Sequence, residues 1–285
     1  MIRILILIGF TFLFMHLHAT GDISKYINMK YSYISFSAIF ILGFLTLVQF
    51  YIYGKSDDSE HQHDEACSPE CGHDHHKNPS RFKNITVNSI LIFPLISGLF
   101  FPIASLDSET VKTKGFHFKG LENEGDFGEH QFLKPDTSVY YGKESYNTIM
   151  DKELQPFTKG DAVVLHDKNY LKGMESVYYK PGIFLGKQMQ FKGFTYNAED
   201  QTKSKSNELF LLRFGIIHCI ADSGVFGMMV EFPKGTSFPN DKWIEVDGTI
   251  ETQYYQPFKA NIPYVKVKSW KEIKKPEEEY VYRGY

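Results

Sequence analysis

Residues 61–76 read HQHDEACSPECGHDHH and pack five histidines and two cysteines into sixteen positions. Imidazole and thiolate are the side chains that borderline-soft transition metals prefer, and zinc is the commonest fit to a mixed nitrogen and sulfur set. The candidate ligands are His61, His63, Cys67, Cys71, His73, His75 and His76. Asp64, Glu65, Glu70 and Asp74 add oxygens that could orient those ligands. The tract is internal and interleaved with acids, unlike a terminal histidine tag. Cys67 and Cys71 lie four positions apart, wider than a structural zinc knuckle, and Ser68, Pro69 and Gly72 point to a loop. An oversupplied set on a loop suits buffering, sensing or delivery better than rigid catalysis. A merely solvated polar loop is the plainer alternative.

A second constellation lies at Leu212–Gly224, LRFGIIHCIADSG, with Arg213, His218, Cys219 and Asp222. Arg213 in so apolar a run is expected to pair with a carboxylate or to reach solvent at an edge. His218 and Cys219 are neighbours, so within a regular strand they face opposite sides. They can share an ion only where the strand ends, which Asp222-Ser223-Gly224 allows. A buried small thiol beside a hydrogen-bonded core histidine is the structural alternative. The same geometry argues against Cys219 as a nucleophile served by His218 or Asp222. No P-loop, dinucleotide fingerprint or Gly-x-Ser-x-Gly elbow occurs, so no enzyme activity and no organic cofactor are expected. His16 and His18, at the end of the first apolar stretch, read as an interfacial cap or as part of an ion path. His117, His130 and His166 read as surface residues.

Three long apolar stretches precede or flank the metal tract. They run over about residues 4–20, 31–53 and 87–106, the third interrupted by Pro94 and Pro102. A bilayer crossing takes roughly 17–25 apolar residues, so residues 1–106 are expected to form about three transmembrane helices carrying the His/Cys loop at 57–78. The first stretch also resembles a signal peptide, but the site after His18 is a poor one for cleavage, and a retained helix is expected. Basic residues near the spans balance at Arg3, Lys55, Lys77, Arg81 and Lys83 against Lys25, Lys30, Lys112, Lys114 and Lys119. The free amine and the Arg81/Lys83 pair tip the expectation to a cytoplasmic N-terminus and loop, with the C-terminal domain outside.

Composition separates this third of the chain from the rest. The whole has 285 residues, 42% hydrophobic, with 25 Phe, 18 Tyr and a net charge of -3, which gives no reason to expect nucleic acid as a partner. Residues 107–180 read as a linker and mixed segment, with helices expected around Tyr146–Leu154 and Asp167–Tyr179. From 181 to 285 the pattern is β. Strands are expected at Ile183–Tyr196, with Gly186 and Gly193 marking a bend or bulge, and at Glu208–Ile220, Val225–Phe232, Lys242–Glu251 and Tyr264–Trp270. Five short strands in so few residues predict a small OB-like barrel. The fold class is therefore membrane α followed by a C-terminal β-rich domain.

These features together resemble the YcgQ-type family of permease subunits that carry the DUF1980 region. The resemblance rests on the apolar segments, the His/Cys loop, and the blocks RFGIIHCIADSG, WIEVDGTIE and PYVKVKSW. It runs from HLHATG at His16–Gly21 through KTKGF at Lys112–Phe116 to YVYRGY at the C-terminus. Members of the family typically carry two adjacent cysteines before an Ala-Asp pair. Here His218 takes the first of those positions and Cys219 the second, ahead of Ala221-Asp222. Histidine keeps a metal ligand and abolishes vicinal dithiol chemistry, so the resemblance implies a metal site at His218, Cys219 and Asp222. It also implies a polytopic membrane permease as partner.

Overall fold

The computed structural model describes residues 1–57, 81–101, 106–114, 143–198, 207–256 and 260–283. They fall into two compact units, Met1–Ala104 and Ser105–Tyr285.

In the first unit α1 spans Ile2–Thr20, α2 Ser32–Asp57 and α3 Arg81–Phe100. Gly21 ends α1 in the left-handed conformation (φ 79°), which glycine adopts without strain, and short 3-10 turns lead into α2. A small core of Ile6, Leu13, Leu17, Ile23 and Leu95 joins α1 to α3. Two glycines permit that approach: a Cβ on Gly9 would stand 2.8 Å from Leu95, and one on Gly98 3.1 Å from Leu13. Most of α2 faces outward. Phe40, Phe44, Leu47 and Tyr51 are each at least 65% exposed, on a helix long and apolar enough to cross a membrane. α1 also meets that length, whereas the apolar part of α3, Ile85–Phe100, is shorter. The expected third span therefore ends early. α3 stops at Phe100, and Leu106 belongs to the second unit, where its N–H donates to the Tyr280 hydroxyl at 3.1 Å.

The second unit contains α4 (Ser108–Lys114), α5 (Lys143–Thr158), β1 (Ala162–Val164) and α6 (Tyr170–Tyr179), then β2 (Gln188–Tyr196), β3 (Glu208–Ile216) and β4 (Gly224–Glu231). β5 (Trp243–Tyr255), β6 (Ala260–Glu272) and β7 (Val281–Tyr282) complete it. The five expected strands are present as β2 to β6, and both expected helices form as α5 and α6. β2 pairs with β3 and β5, β3 with β4, β4 in parallel with β6, and β6 with β5, so the sheet closes on itself as a ring. β1 lies parallel to β2 and β7 parallel to β3, and the sequence pattern announces neither. Among the described residues the register irregularity falls at Asp247/Gly248 in β5 rather than in β2, and Gly186 instead turns the chain before that strand at φ 81°.

Alternate residues of the five ring strands, among them Met189, Leu211, Met228, Ile244 and Val265, meet in one core that also takes Leu171, Met174 and Val177 from α6. A second cluster takes the other side of β3 (Phe210, Leu212, Phe214, Ile216) with Val111, Trp243 and Tyr280. Every residue of β3 is buried, which explains its unbroken apolar run. Residues 107–180, read from sequence as linker and mixed segment, contribute Leu154, Val163, Leu165 and Tyr170 to the first core.

Candidate functional site: a carboxylate-held turn beside a buried arginine

β3 ends at Ile216, and the chain passes through His218 and Cys219 into a single 3-10 turn, Ile220–Asp222, before β4 begins at Gly224. Asp222 organises the whole connection. Its carboxylate accepts the backbone N–H groups of Ile217 (3.3 Å), His218 (2.9 Å) and Cys219 (3.1 Å). It also meets Nδ1 of His218 at 2.8 Å. An aspartate at the end of a 3-10 turn that reaches back in this way satisfies donors that would otherwise face the chain reversal unpaired. With Nδ1 directed at a carboxylate, the lone pair of the neutral ring lies on Nε2, the arrangement in which an imidazole serves as a metal ligand. The His218 side chain is 45% exposed. Both residues lie beyond the strand, so the opposite-face constraint of a regular strand does not bind them, and Cys219 is a free thiol of intermediate exposure.

Arg213 lies within β3, three residues before its end at Ile216, and is wholly buried. Its guanidinium is sandwiched between the rings of Tyr170 (5.4 Å) and Trp243 (5.6 Å). One terminal nitrogen donates to the Asp167 carboxylate, and the other to the carbonyls of Glu278 (2.9 Å) and Glu279 (3.3 Å). Lys192 Nζ joins the same carboxylate at 3.0 Å. Burial raises the Asp167 carboxyl, but hydrogen bonds from Arg213 and Lys192 outweigh it and hold the group below the usual carboxylate range. Glu278 moves the other way, raised by burial and by the neighbouring Asp167 charge. The expected carboxylate partner of Arg213 is thus present, although no local pattern singled out Asp167. The Tyr170 hydroxyl and the Arg213 Nε are buried without a hydrogen-bond partner among the described residues.

A second buried arginine was missed altogether. Arg283 is 3% exposed, and it pairs with Glu175 and, at 2.7 Å, with Glu153, which Lys172 also approaches at 3.3 Å. The two arginines hold the last stretch of chain against α5, α6 and β3, and β7 adds two residue pairs of parallel ladder. The sequence signal was the Tyr-rich YVYRGY ending, which has no chemistry of its own and takes on meaning only beside the two acids.

The metal tract lies outside the described residues, and with it His61, His63, Cys67, Cys71, His73, His75 and His76. Among the described residues no group of three His, Cys, Asp or Glu side chains could hold a metal ion. At the β3–β4 turn the Asp222 oxygens are occupied by the turn itself, so the remaining atoms of metal-ligating type are His218 Nε2 and Cys219 Sγ, the latter also placed to accept the Asp222 backbone N–H. In the first unit, His18 Nε2 meets the Ser35 hydroxyl at 2.9 Å and packs edge-on to Phe36, so it ties α1 to α2.

Family models match most of the chain: the DUF1980 N-terminal domain over residues 2–117 and the DUF1980 C-terminal domain over residues 140–283. The chain belongs to the DUF1980 family. Two relatives align along their entire lengths and along all of this chain. One is the UPF0703 protein YcgQ of Bacillus subtilis, 49% identical, and the other a Streptococcus mutans protein, 35% identical, named as a candidate subunit of a two-component membrane permease complex. No solved structure matches the chain. The boundary between the two compact units, at Ala104/Ser105, falls inside the N-terminal family domain, and the C-terminal family domain lies wholly within the second unit. Arg213, Asp222 and Arg283 all lie within the C-terminal family domain.

Proposed function

We propose that the protein is a membrane-anchored accessory subunit of a permease that handles or senses a transition metal, zinc being the best chemical fit. The observation that carries the membrane part is α2, which exposes Phe40, Phe44, Leu47 and Tyr51 all along its length. Such a surface needs lipid or another apolar helix around it. The name of the Streptococcus mutans relative supports a permease partner. In this reading the N-terminal region crosses the membrane more than once, with the third apolar segment as a further span, and the permease is polytopic. The ring order β2-β3-β4-β6-β5 supports an OB-like barrel for the C-terminal unit.

The metal part rests on donor chemistry. The loop at 57–78 supplies an excess of imidazole and thiolate, and the β3–β4 turn supplies a carboxylate-held histidine beside a thiol. Asp222 acts there by orienting His218, while His218 and Cys219 contact the ion. Two donors from one turn make a weak, exchangeable site, which suits passing an ion on. Elemental analysis of the detergent-purified protein tests this, with wild type beside a H218A/C219A variant and a deletion of residues 58–78. Stoichiometric zinc that disappears in one variant is the expected result. Metal-free protein in all three, purified without chelators, would sink the metal role. The two-donor set at the β3–β4 turn, short of the three or four protein ligands of a stable zinc site, favours a second reading, a cell-envelope binding module whose His/Cys loop only buffers metal. The loop deletion would then leave cellular function intact.

The orientation carries its own test. In a C67S/C71S background Cys219 is the remaining thiol, since the chain has three cysteines. Intact cells treated with a membrane-impermeant maleimide are expected to label it, as an extracytoplasmic C-terminal unit requires. Labelling only after lysis would reverse the topology.

A further inference from the structure

β1 is an edge strand, and among the described residues no strand pairs with its outer side. Its parallel pairing to β2 is anchored by Gln188 N–H to the Asp161 carbonyl (3.0 Å) and Leu165 N–H to the Gln190 carbonyl (2.9 Å). In such a ladder alternate residues address the neighbour, so Val163 faces β2 while Ala162 and Val164 turn their main-chain groups outward. Asn169 Nδ2 takes the Val164 carbonyl at 3.2 Å. The Ala162 N–H and carbonyl and the Val164 N–H have no partner among the described residues. Sheet edges left in this state are templates for another strand. Beside this edge lies an open groove of about 480 Å³ between β1, the end of α5 and the start of α6. Its wall is apolar where Pro156, Phe157 and Val164 line it, and Val164 is 39% exposed. Its rim is cationic. Lys152 is exposed and makes no ion pair among the described residues, and Lys172 also lines the groove. Glu153, the acid in the groove, is already shared by Arg283 and Lys172.

The geometry points to β1 as a docking edge for an extended, acidic peptide segment of the membrane partner, which adds as a strand with an apolar side chain on Phe157 and Val164 and a carboxylate on Lys152. Main-chain bonding gives such docking its strength, and the flanking pockets and charge select the guest. The assignment of the guest to a membrane protein rests on the accessory-subunit reading; the docking edge itself does not.

The test uses the full-length protein in its native membrane with a photoreactive phenylalanine at Ala162. The expected product is an adduct with an integral membrane protein whose cross-linked peptide contains Asp or Glu. A synthetic copy of that peptide should then bind the detergent-purified protein about tenfold more weakly after Val164→Pro, which removes an outward N–H without touching the β1–β2 ladder. Lys152→Glu should weaken binding, and Lys152→Arg should restore it. An adduct with a soluble protein that keeps this variant pattern would retain the docking edge and remove the permease reading. No adduct, an adduct with a second copy of this chain, or peptide binding indifferent to Val164→Pro would overturn the proposal.

Discussion

Arg213→Ala is expected to destabilise the C-terminal unit by about 3–5 kcal/mol, the range seen when one member of a buried ionic group is removed. Three losses coincide. Asp167 loses its strongest partner, the Glu278 and Glu279 carbonyls lose their donor, and the space between Tyr170 and Trp243 is left unfilled. Urea unfolding of the full chain in detergent, followed by tryptophan fluorescence, reads the change, since Trp243 is in contact with the guanidinium. Arg213→Lys keeps the charge but cannot donate along the same fork, and it should recover less than half of the loss. Trypsin should also cut the variant faster after Lys274, because the residues that follow are no longer held, whereas the Lys275–Pro276 bond resists trypsin in both proteins. A shift below about 1 kcal/mol would mean that the arginine is tolerated rather than required.

The same cluster gives a pH dependence of definite sign. Asp167 is held below the usual carboxylate range in the folded chain, so its contribution is complete above about pH 4 and is lost as the pH falls through the folded value. Glu278 is raised, and its ionisation opposes folding once the pH passes the ordinary glutamate range. Acidification therefore weakens the Arg213 pairing while relieving the Glu278 penalty. Arg213→Ala should flatten the acid limb of the stability profile.

Much of the β architecture was legible because ring strands have a two-residue period, and their turns carry Gly, Pro, Asp and Asn. β2 followed from that period, and β4, β5 and β6 from apolar and aromatic runs set between turn residues. β3 followed from the opposite signal, an unbroken apolar run, which the structure explains by burial on both sides. β1 and β7 were illegible because strands of three and two residues are shorter than any period, and each exists only by pairing with a neighbour. The candidate site divides in the same way. His218, Cys219 and Asp222 could be singled out because they are close in sequence and chemically unusual together. Their division of labour needed coordinates, since the pattern alone does not say that Asp222 spends its oxygens on three backbone N–H groups. Asp167 and the Arg283–Glu153–Glu175 group were out of reach because their partners are 46, 130 and 108 residues apart.

Gly227→Ala is expected to cost about 3 kcal/mol or more, and it tests how the ring closes. Leu212 in the centre of β3 is approached from both flanks by glycine: Gly227 on β4 is its register partner, and Gly193 on β2 neighbours its other partner, Phe194. A Cβ on Gly227 would stand 2.1 Å from the Leu211 carbonyl oxygen and 2.8 Å from the Leu212 Cα; one on Gly193 would stand 2.6 Å from the Leu212 carbonyl oxygen. These neighbours are backbone, so no side-chain rotation relieves the clash, and the strands must separate. The Gly227 carbonyl also accepts the Tyr178 hydroxyl at 3.0 Å, which ties this point of the ring to α6 and leaves β4 little room to retreat. Gly193→Ala should cost about 1–3 kcal/mol. The double variant should lose less than the sum, because once β3 has moved for one methyl it is partly displaced for the other. Gly182→Ala, with nothing within 4 Å of the added carbon, is the control and should stay within about 0.5 kcal/mol of wild type. If Gly227→Ala unfolds at the same urea concentration as Gly182→Ala, β3 is not clasped at Leu212. The ring would then be held by its β5–β6 side instead.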